Sequence, residues 1–250
     1  MDTQKFYEEE RRLSYNPTEL THYSPIGWKK LFAFDDRFVT VSKKLAQLIK
    51  KSKGGRVKLL DIAIGDGVYE RMLPKELLDK CDVYAIDISK TQLSRVKDII
   101  KEGKIVDLNF EKLPYADNTF DIVIVSELLE HVFYPDNVLT EAIRVLKKNG
   151  SFLLTYPNSG ALQLRLSLFF TGASPLLNYP GNKEHIRYFR KKDIEEMIGK
   201  AKVIEYTGLG SLLFAKWNFP VRIPMFRMKQ LFWNRFLPNL ALGNLMIIKK

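Results

Sequence analysis

Between Val57 and Tyr156 short runs of valine, isoleucine and leucine alternate with amphipathic segments, and this alternation constrains the fold more than any other feature of the chain. The runs Val57–Ala63, Val83–Ile86, Ile105–Val106, Phe120–Val125 and Ser151–Tyr156 read as strands. They are apolar on both sides, as strands covered on both faces are. Between them, apolar positions recur at three- and four-residue steps, as in Leu93, Val96, Ile99 and Ile100 or Val138, Ala142, Val145 and Leu146. That spacing builds one apolar helix face. The alternation predicts a mostly parallel sheet with helices on both faces, a three-layer αβα sandwich.

Local signals set the boundaries. An amphipathic helix from Phe38 ends at Lys53-Gly54-Gly55, Ser89 is placed to cap the helix that follows it, and Asn149-Gly150 is expected to close the helix that starts at Pro135. Past Tyr156 the rhythm weakens. A helix from Lys192 to Ala201 and strands at Val203–Tyr206 and Asn244–Lys249 complete the set. The expected organisation is an N-terminal helical cap over 1–52 and one domain over 53–250, with a basic aromatic insertion at about 208–240.

Asp61-Ile62-Ala63-Ile64-Gly65-Asp66-Gly67 runs from a strand through a tight turn into a helix. Small residues there let a ligand approach the backbone, and a helix start offers unpaired N–H groups. Asp87 follows 20 residues after Gly67, at the end of the next strand, where a carboxylate can accept both hydroxyls of a ribose. A nicotinamide fingerprint needs a third glycine where Glu70 stands, which weakens the dinucleotide reading.

These segments together resemble class I S-adenosylmethionine-dependent methyltransferases. Leu59–Gly67 resembles their first motif, with Ala63 in place of its first glycine, and Ala85–Ser89 the second. Asp107-Leu108-Asn109, with Leu113-Pro114-Tyr115, is similar to the third segment, and Phe120–Ser126 followed by Glu127-Leu128-Leu129-Glu130-His131-Val132 to the fourth strand and its "E-H-V". Arg144–Gly150 and Tyr156-Pro157-Asn158 are similar to the turn before the fifth strand and to its end.

The resemblance implies a Rossmann-like fold with strand order 3-2-1-4-5-7-6 and an antiparallel last strand. It implies S-adenosyl-L-methionine as cofactor, with Gly65 and Gly67 admitting the methionine moiety and Asp87 holding the ribose. Asp107 and the Leu108 amide would hold the adenine, and Asp61 would order the turn and reach the ammonium through water. Ala63, Asp66, Ile88 and Ser126 fall in the same binding set.

His131 is the candidate general base, since a neutral imidazole suits that role near pH 7. His185-Ile186-Arg187-Tyr188-Phe189 is similar to a segment that some of these enzymes place over the acceptor, so His185, Arg187 and Tyr156 are the candidate substrate contacts. No metal ligand set is expected, and a single cysteine, Cys81, excludes a thiolate cluster or an internal disulfide.

The implied activity is methyl transfer to a small, sugar- or lipid-linked acceptor. The alternatives are a catalytically silent relative that binds without turnover, an RNA methyltransferase and, more distantly, a nicotinamide-linked oxidoreductase. Charge bears on the partner. Residues 1–150 carry 25 basic and 24 acidic side chains, residues 151–250 carry 15 and 5, and so the net +11 lies almost wholly in the last hundred residues.

There Trp217, Phe219, Phe226, Phe232, Trp233 and Phe236 are interspersed with Arg222, Arg227, Lys229 and Arg235. A buried lid is the first expectation for them, peripheral contact with an anionic membrane the second, and nucleic acid the last. The polar, acid-rich start Met1–Leu13 lacks the features of a secretory signal, and the expected location is the cytoplasm.

Overall fold

In the computed structural model, residues 35–52, 54–172, 185–210 and 233–250 are described. Residues 211–232 of the expected basic aromatic insertion at about 208–240, the residues before 35, Lys53 and the stretch 173–184 lie outside them; of the insertion's described aromatics, Trp233 and Phe236 are exposed rather than buried. The elements in chain order are α1 (Asp35–Lys51), β1 (Val57–Ile62), α2 (Val68–Arg71), α3 (Lys75–Leu78), β2 (Cys81–Asp87), α4 (Lys90–Arg95), β3 (Glu102–Ile105) and β4 (Phe120–Ser126). A 3-10 turn (Leu129–His131), α5 (Pro135–Val145), β5 (Leu146–Pro157), α6 (Leu162–Thr171), α7 (Lys191–Met197), β6 (Lys202–Leu209), a second 3-10 turn (Pro238–Leu240) and β7 (Gly243–Lys249) follow.

The seven strands form one sheet in the order β3-β2-β1-β4-β5-β7-β6. The first five are parallel, and β7 runs antiparallel between β5 and β6. This is the expected order.

Successive strand residues point to opposite faces, so each strand feeds two cores. Leu60, Val123 and Phe152 face α5 and α7, joining Val138, Ala142 and Ile194 in one buried cluster. Leu59, Ile122 and Ile247 face α1, joining Val41, Leu45 and Ile49 in the other. Full burial of a side chain such as Leu45 contributes about 1.5–3 kcal/mol. The described part of the expected N-terminal cap, α1, is thus one of the two outer layers.

Several boundaries differ from the sequence reading, the third strand among them, at Glu102–Ile105 rather than Ile105–Val106. Asn149 and Gly150 lie inside β5 rather than in a closing loop, because the strand starts at Leu146, directly after α5. A Cβ on Gly150 would stand 2.6 Å from Leu146 Cδ1 and 3.0 Å from the Asp121 carbonyl oxygen, so glycine is required there by close approach. The helix after Ser89 is only six residues long. Ser89 Oγ accepts from the Gln92 N–H at 3.2 Å as its cap, and Val96, at ψ 7°, ends it.

The chain leaves β1 for β2 on one side, and β4 lies on β1's other side. In open α/β sheets ligands collect where the winding reverses in this way, at the carboxyl ends of the strands. No helix among the described residues is long and apolar enough to cross a membrane.

Candidate functional site

A cleft of about 260 Å³ opens at that point, between the carboxyl ends of β1, β2 and β4. Its floor is the turn after β1. Ala63, Gly65 and Gly67 all take left-handed backbone conformations, with φ of 64°, 56° and 63°, and ordinary residues lie between them. The Ala63 and Ile64 N–H groups donate to the Ile86 carbonyl at 2.7 and 3.2 Å, which ties the turn to the neighbouring strand.

Gly65 has open space where a side chain would be, and it lines the cleft. Gly67 does not line it. A Cβ there would lie 2.6 Å from Ile99 Cδ1, so glycine at 67 serves the conformation and packing of the turn. Ala63 adopts the left-handed conformation at a cost that glycine would not have, about 1–2 kcal/mol.

Asp87 closes the turn from β2. One carboxylate oxygen accepts from the Gly65 N–H at 3.1 Å and the other from the Ser89 N–H at 2.9 Å. These backbone donors orient the carboxylate at the mouth of the turn. Asp107 is fixed in the same way. Its Oδ1 accepts from the backbone and side-chain amides of Asn109, both at 3.0 Å, while Asn109 Oδ1 accepts from the Phe133 N–H at 2.8 Å. Asp61, Ala63, Asp66, Ile88, Leu108, Ser126 and His131 line the cleft beside them.

Several lining residues were not anticipated. A directed chain of hydroxyls crosses the β4–β5 side. Thr155 Oγ1 donates to Glu127 Oε1 at 3.0 Å, so its remaining partner Ser126 Oγ must donate to it at 2.7 Å, and Tyr69 OH donates to Ser126 at 2.6 Å. Burial pushes the Tyr69 hydroxyl up to about 12, which keeps it a donor at neutral pH. At the other end Arg37 Nη1 bonds Glu127 Oε2 at 2.6 Å. Glu127 stands in the quoted S-E-L-L-E-H run, but Arg37 comes from 90 residues away and carries no local signal.

Beneath the turn lies a pair of buried carboxyls. Glu70 is fully buried and Asp61 is 2 % exposed. Burial first, and then the Glu70 and Asp87 charges, hold Asp61 well above the usual carboxylate range. Burial likewise raises Glu70.

The expected substrate contacts separate. His185 meets His131, with ring centroids 4.8 Å apart and edge to face, because the Ile186 N–H donates to the Glu130 carbonyl at 2.9 Å. Arg187 is exposed, and its guanidinium donates to the Phe133 carbonyl at 2.8 Å. Tyr156 does not reach the cleft. It is fully buried in the core, its ring centroid 6.5 Å from that of Phe189, because its strand parity turns it to the opposite side. Its expected role as a substrate contact is therefore withdrawn.

The model of the methyltransferase domain family of type 11 matches residues 60–154. The ubiquinone/menaquinone biosynthesis C-methyltransferase UbiE of Neisseria gonorrhoeae is 37 % identical over 101 residues, covering 39 % of this chain and 41 % of that protein. A glycine/sarcosine/dimethylglycine N-methyltransferase of Actinopolyspora halophila is 34 % identical over 106 residues, covering 40 % and 18 %. The match thus spans about two fifths or less of these relatives.

Among solved structures, a Pyrococcus horikoshii protein superposes with a TM-score of 0.54 at 20 % identity, covering 92 % of this chain and 98 % of that one. The Synechocystis magnesium protoporphyrin IX methyltransferase, solved with bound S-adenosylhomocysteine, gives 0.56 at 13 %, covering 86 % and 84 %. The likeness to these two is one of fold. Over residues 60–154, where the turn, Asp87 and Asp107 build the cleft, the chain matches the methyltransferase domain model.

Proposed function

We propose that this protein binds S-adenosylmethionine in the cleft and transfers its methyl group to a small-molecule acceptor. The observation that carries the reading is the joint placement of the left-handed turn and the oriented carboxylate of Asp87 at the sheet's switch point. Asp87 would take the two ribose hydroxyls, each charge-assisted bond contributing about 1.5–3 kcal/mol. Asp107 and the Leu108 amide would meet the adenine. Asp61, at the methionine end, would face the ammonium, whose charge stabilises the ionised carboxylate that burial disfavours.

The chemistry is a displacement in line. A lone pair on the acceptor forms the bond to the methyl carbon, the S–C bond breaks, and its electron pair returns to sulfur as a neutral thioether. The protein's part is alignment at near-contact distance, worth up to about 7–11 kcal/mol. His131, at the cleft's edge beside His185, is the group placed to take a proton from a hydroxyl or ammonium acceptor.

The matching relatives act on a carbon and on a nitrogen by their names, so likeness alone does not choose the acceptor atom. A sugar- or lipid-linked acceptor remains the reading, supported by exposed Phe133, Tyr134 and Ile186 near the His185 end. Calorimetry with S-adenosylmethionine and S-adenosylhomocysteine tests the reading. Heat for both is expected, and none for either in a folded sample defeats it. Binding with no labelled product from any small-molecule or lipid fraction would instead favour the silent relative.

A further inference from the structure

Glu130, His131 and His185 form a cluster that the cofactor reading does not use. One donor atom of each lies within 4.8 Å of the other two. Glu130 Oε1 is 3.9 Å from His131 Nε2 and 4.0 Å from His185 Nε2. These separations are too long for hydrogen bonds. They are close to those of ligands about a common ion, because bonds of about 2.0–2.2 Å bring neighbouring donors to within roughly 3–3.5 Å. Closing the cluster takes a shift of about 1 Å in side chains that hinge at their χ angles.

The backbone holds the three in register. Glu130 and His131 sit on the 3-10 turn, whose His131 N–H donates to the Leu128 carbonyl at 2.9 Å, and the bond from the Ile186 N–H to the Glu130 carbonyl draws His185 over them. The Glu130 side chain is 2 % exposed, and those of His131 and His185 are 11 % and 16 % exposed. Two imidazoles and a buried carboxylate make a set that suits a first-row divalent cation rather than magnesium or calcium. His131 also lines the cofactor cleft, so the cluster borders the place where methyl and acceptor must meet.

We propose that Glu130, His131 and His185 bind a divalent transition-metal cation whose open positions take an oxygen of the methyl acceptor. The inference rests on the methyl-transfer reading and deepens it, since it names the acceptor as an oxygen compound: a hydroxyl, or a hydroxyl with a second oxygen beside it. Coordination lowers the pKa of such an oxygen, as it lowers that of water to about 7. The proton then leaves to solvent, the oxygen lone pair forms the bond to the methyl carbon, and the S–C electron pair returns to sulfur. With the cation bound, His131 acts as its ligand instead of as general base.

The test uses the full chain, freed of metal by chelator and titrated with Zn2+, Mn2+ and Co2+ by calorimetry, with Co2+ absorption as a spectroscopic signature. One site per chain is expected, weakened at least about tenfold by His185→Ala and by Glu130→Gln. Glu130→Gln keeps the shape of the side chain, and His185 lies at the surface end of the cluster, so both variants are expected to fold. S-adenosylhomocysteine binding is measured in the same samples and is expected to stay within about threefold of the parent, because Asp87 and the turn are untouched. No cation binding by a protein that binds S-adenosylhomocysteine overturns the cation site and leaves the methyl-transfer reading standing. Cation binding equal in both variants and the parent overturns it too, by placing the ion elsewhere. Cation binding without any binding of the nucleoside would defeat the methyl-transfer reading instead.

Discussion

Replacing Glu70 by glutamine should make the protein more stable at neutral pH, although it alters a fully buried side chain. Both Glu70 oxygens are buried, and the group that hydrogen-bonds them is the carboxyl of Asp61, itself buried. Both pKa values are raised, chiefly by burial. A carboxyl whose pKa is higher in the folded than in the unfolded protein binds its proton more tightly when folded. The native state is therefore favoured at low pH. Stability is lost as pH rises from the unfolded pKa near 4 through the folded one, by about 1.4 kcal/mol for each pH unit that separates them.

Glutamine removes one titration and supplies an amide N–H that can donate to ionised Asp61. Removing one of two charges from this buried carboxyl pair is worth about 1–3 kcal/mol, or about 2–4 °C in Tm for each kcal/mol in a domain of this size. Urea unfolding followed by circular dichroism at pH 4.5, 6 and 8 measures it. The variant should exceed the parent at pH 8 and converge with it near pH 4.5. A variant less stable by the same amount at every pH would refute the reasoning, because Glu70 would then act through its shape and not its charge.

Asp87→Asn should weaken S-adenosylhomocysteine binding about a hundredfold in calorimetry, since two charge-assisted bonds become neutral ones; unchanged affinity would remove Asp87 from the ribose. Ala63→Gly should raise stability by about 0.5–1 kcal/mol, because the left-handed cost of about 1–2 kcal/mol outweighs the larger entropy of glycine in the unfolded chain. A lower unfolding midpoint in urea would contradict that. Cys81, buried and with its thiol pushed up to about 11, should resist alkylation in the folded protein at pH 8 and react fully in denaturant. Mass spectrometry reads the difference, and rapid labelling of the native chain would show that β2 opens.

The sheet was legible because its signals are local. Runs such as Phe120–Ser126 are apolar on both faces only in covered strands, and Ser89 and the turn after Ile62 mark helix starts wherever the chain goes. Asp87, Asp107 and the glycine turn were legible for the same reason, since the end of a strand and the residue standing there are both fixed by sequence position. What lay beyond the sequence depends on pairs far apart along it. Arg37 reaches Glu127 only because α1 lies over the sheet, and His185 reaches His131 only because one backbone hydrogen bond docks its segment on the 3-10 turn. Strand parity, set by pairing, sent Tyr156 into the core, and packing under the turn buried Glu70 against Asp61. Composition and spacing name the residues that can do chemistry, but burial and proximity decide which of them share a proton, an ion or a ligand, because both are properties of the folded arrangement alone.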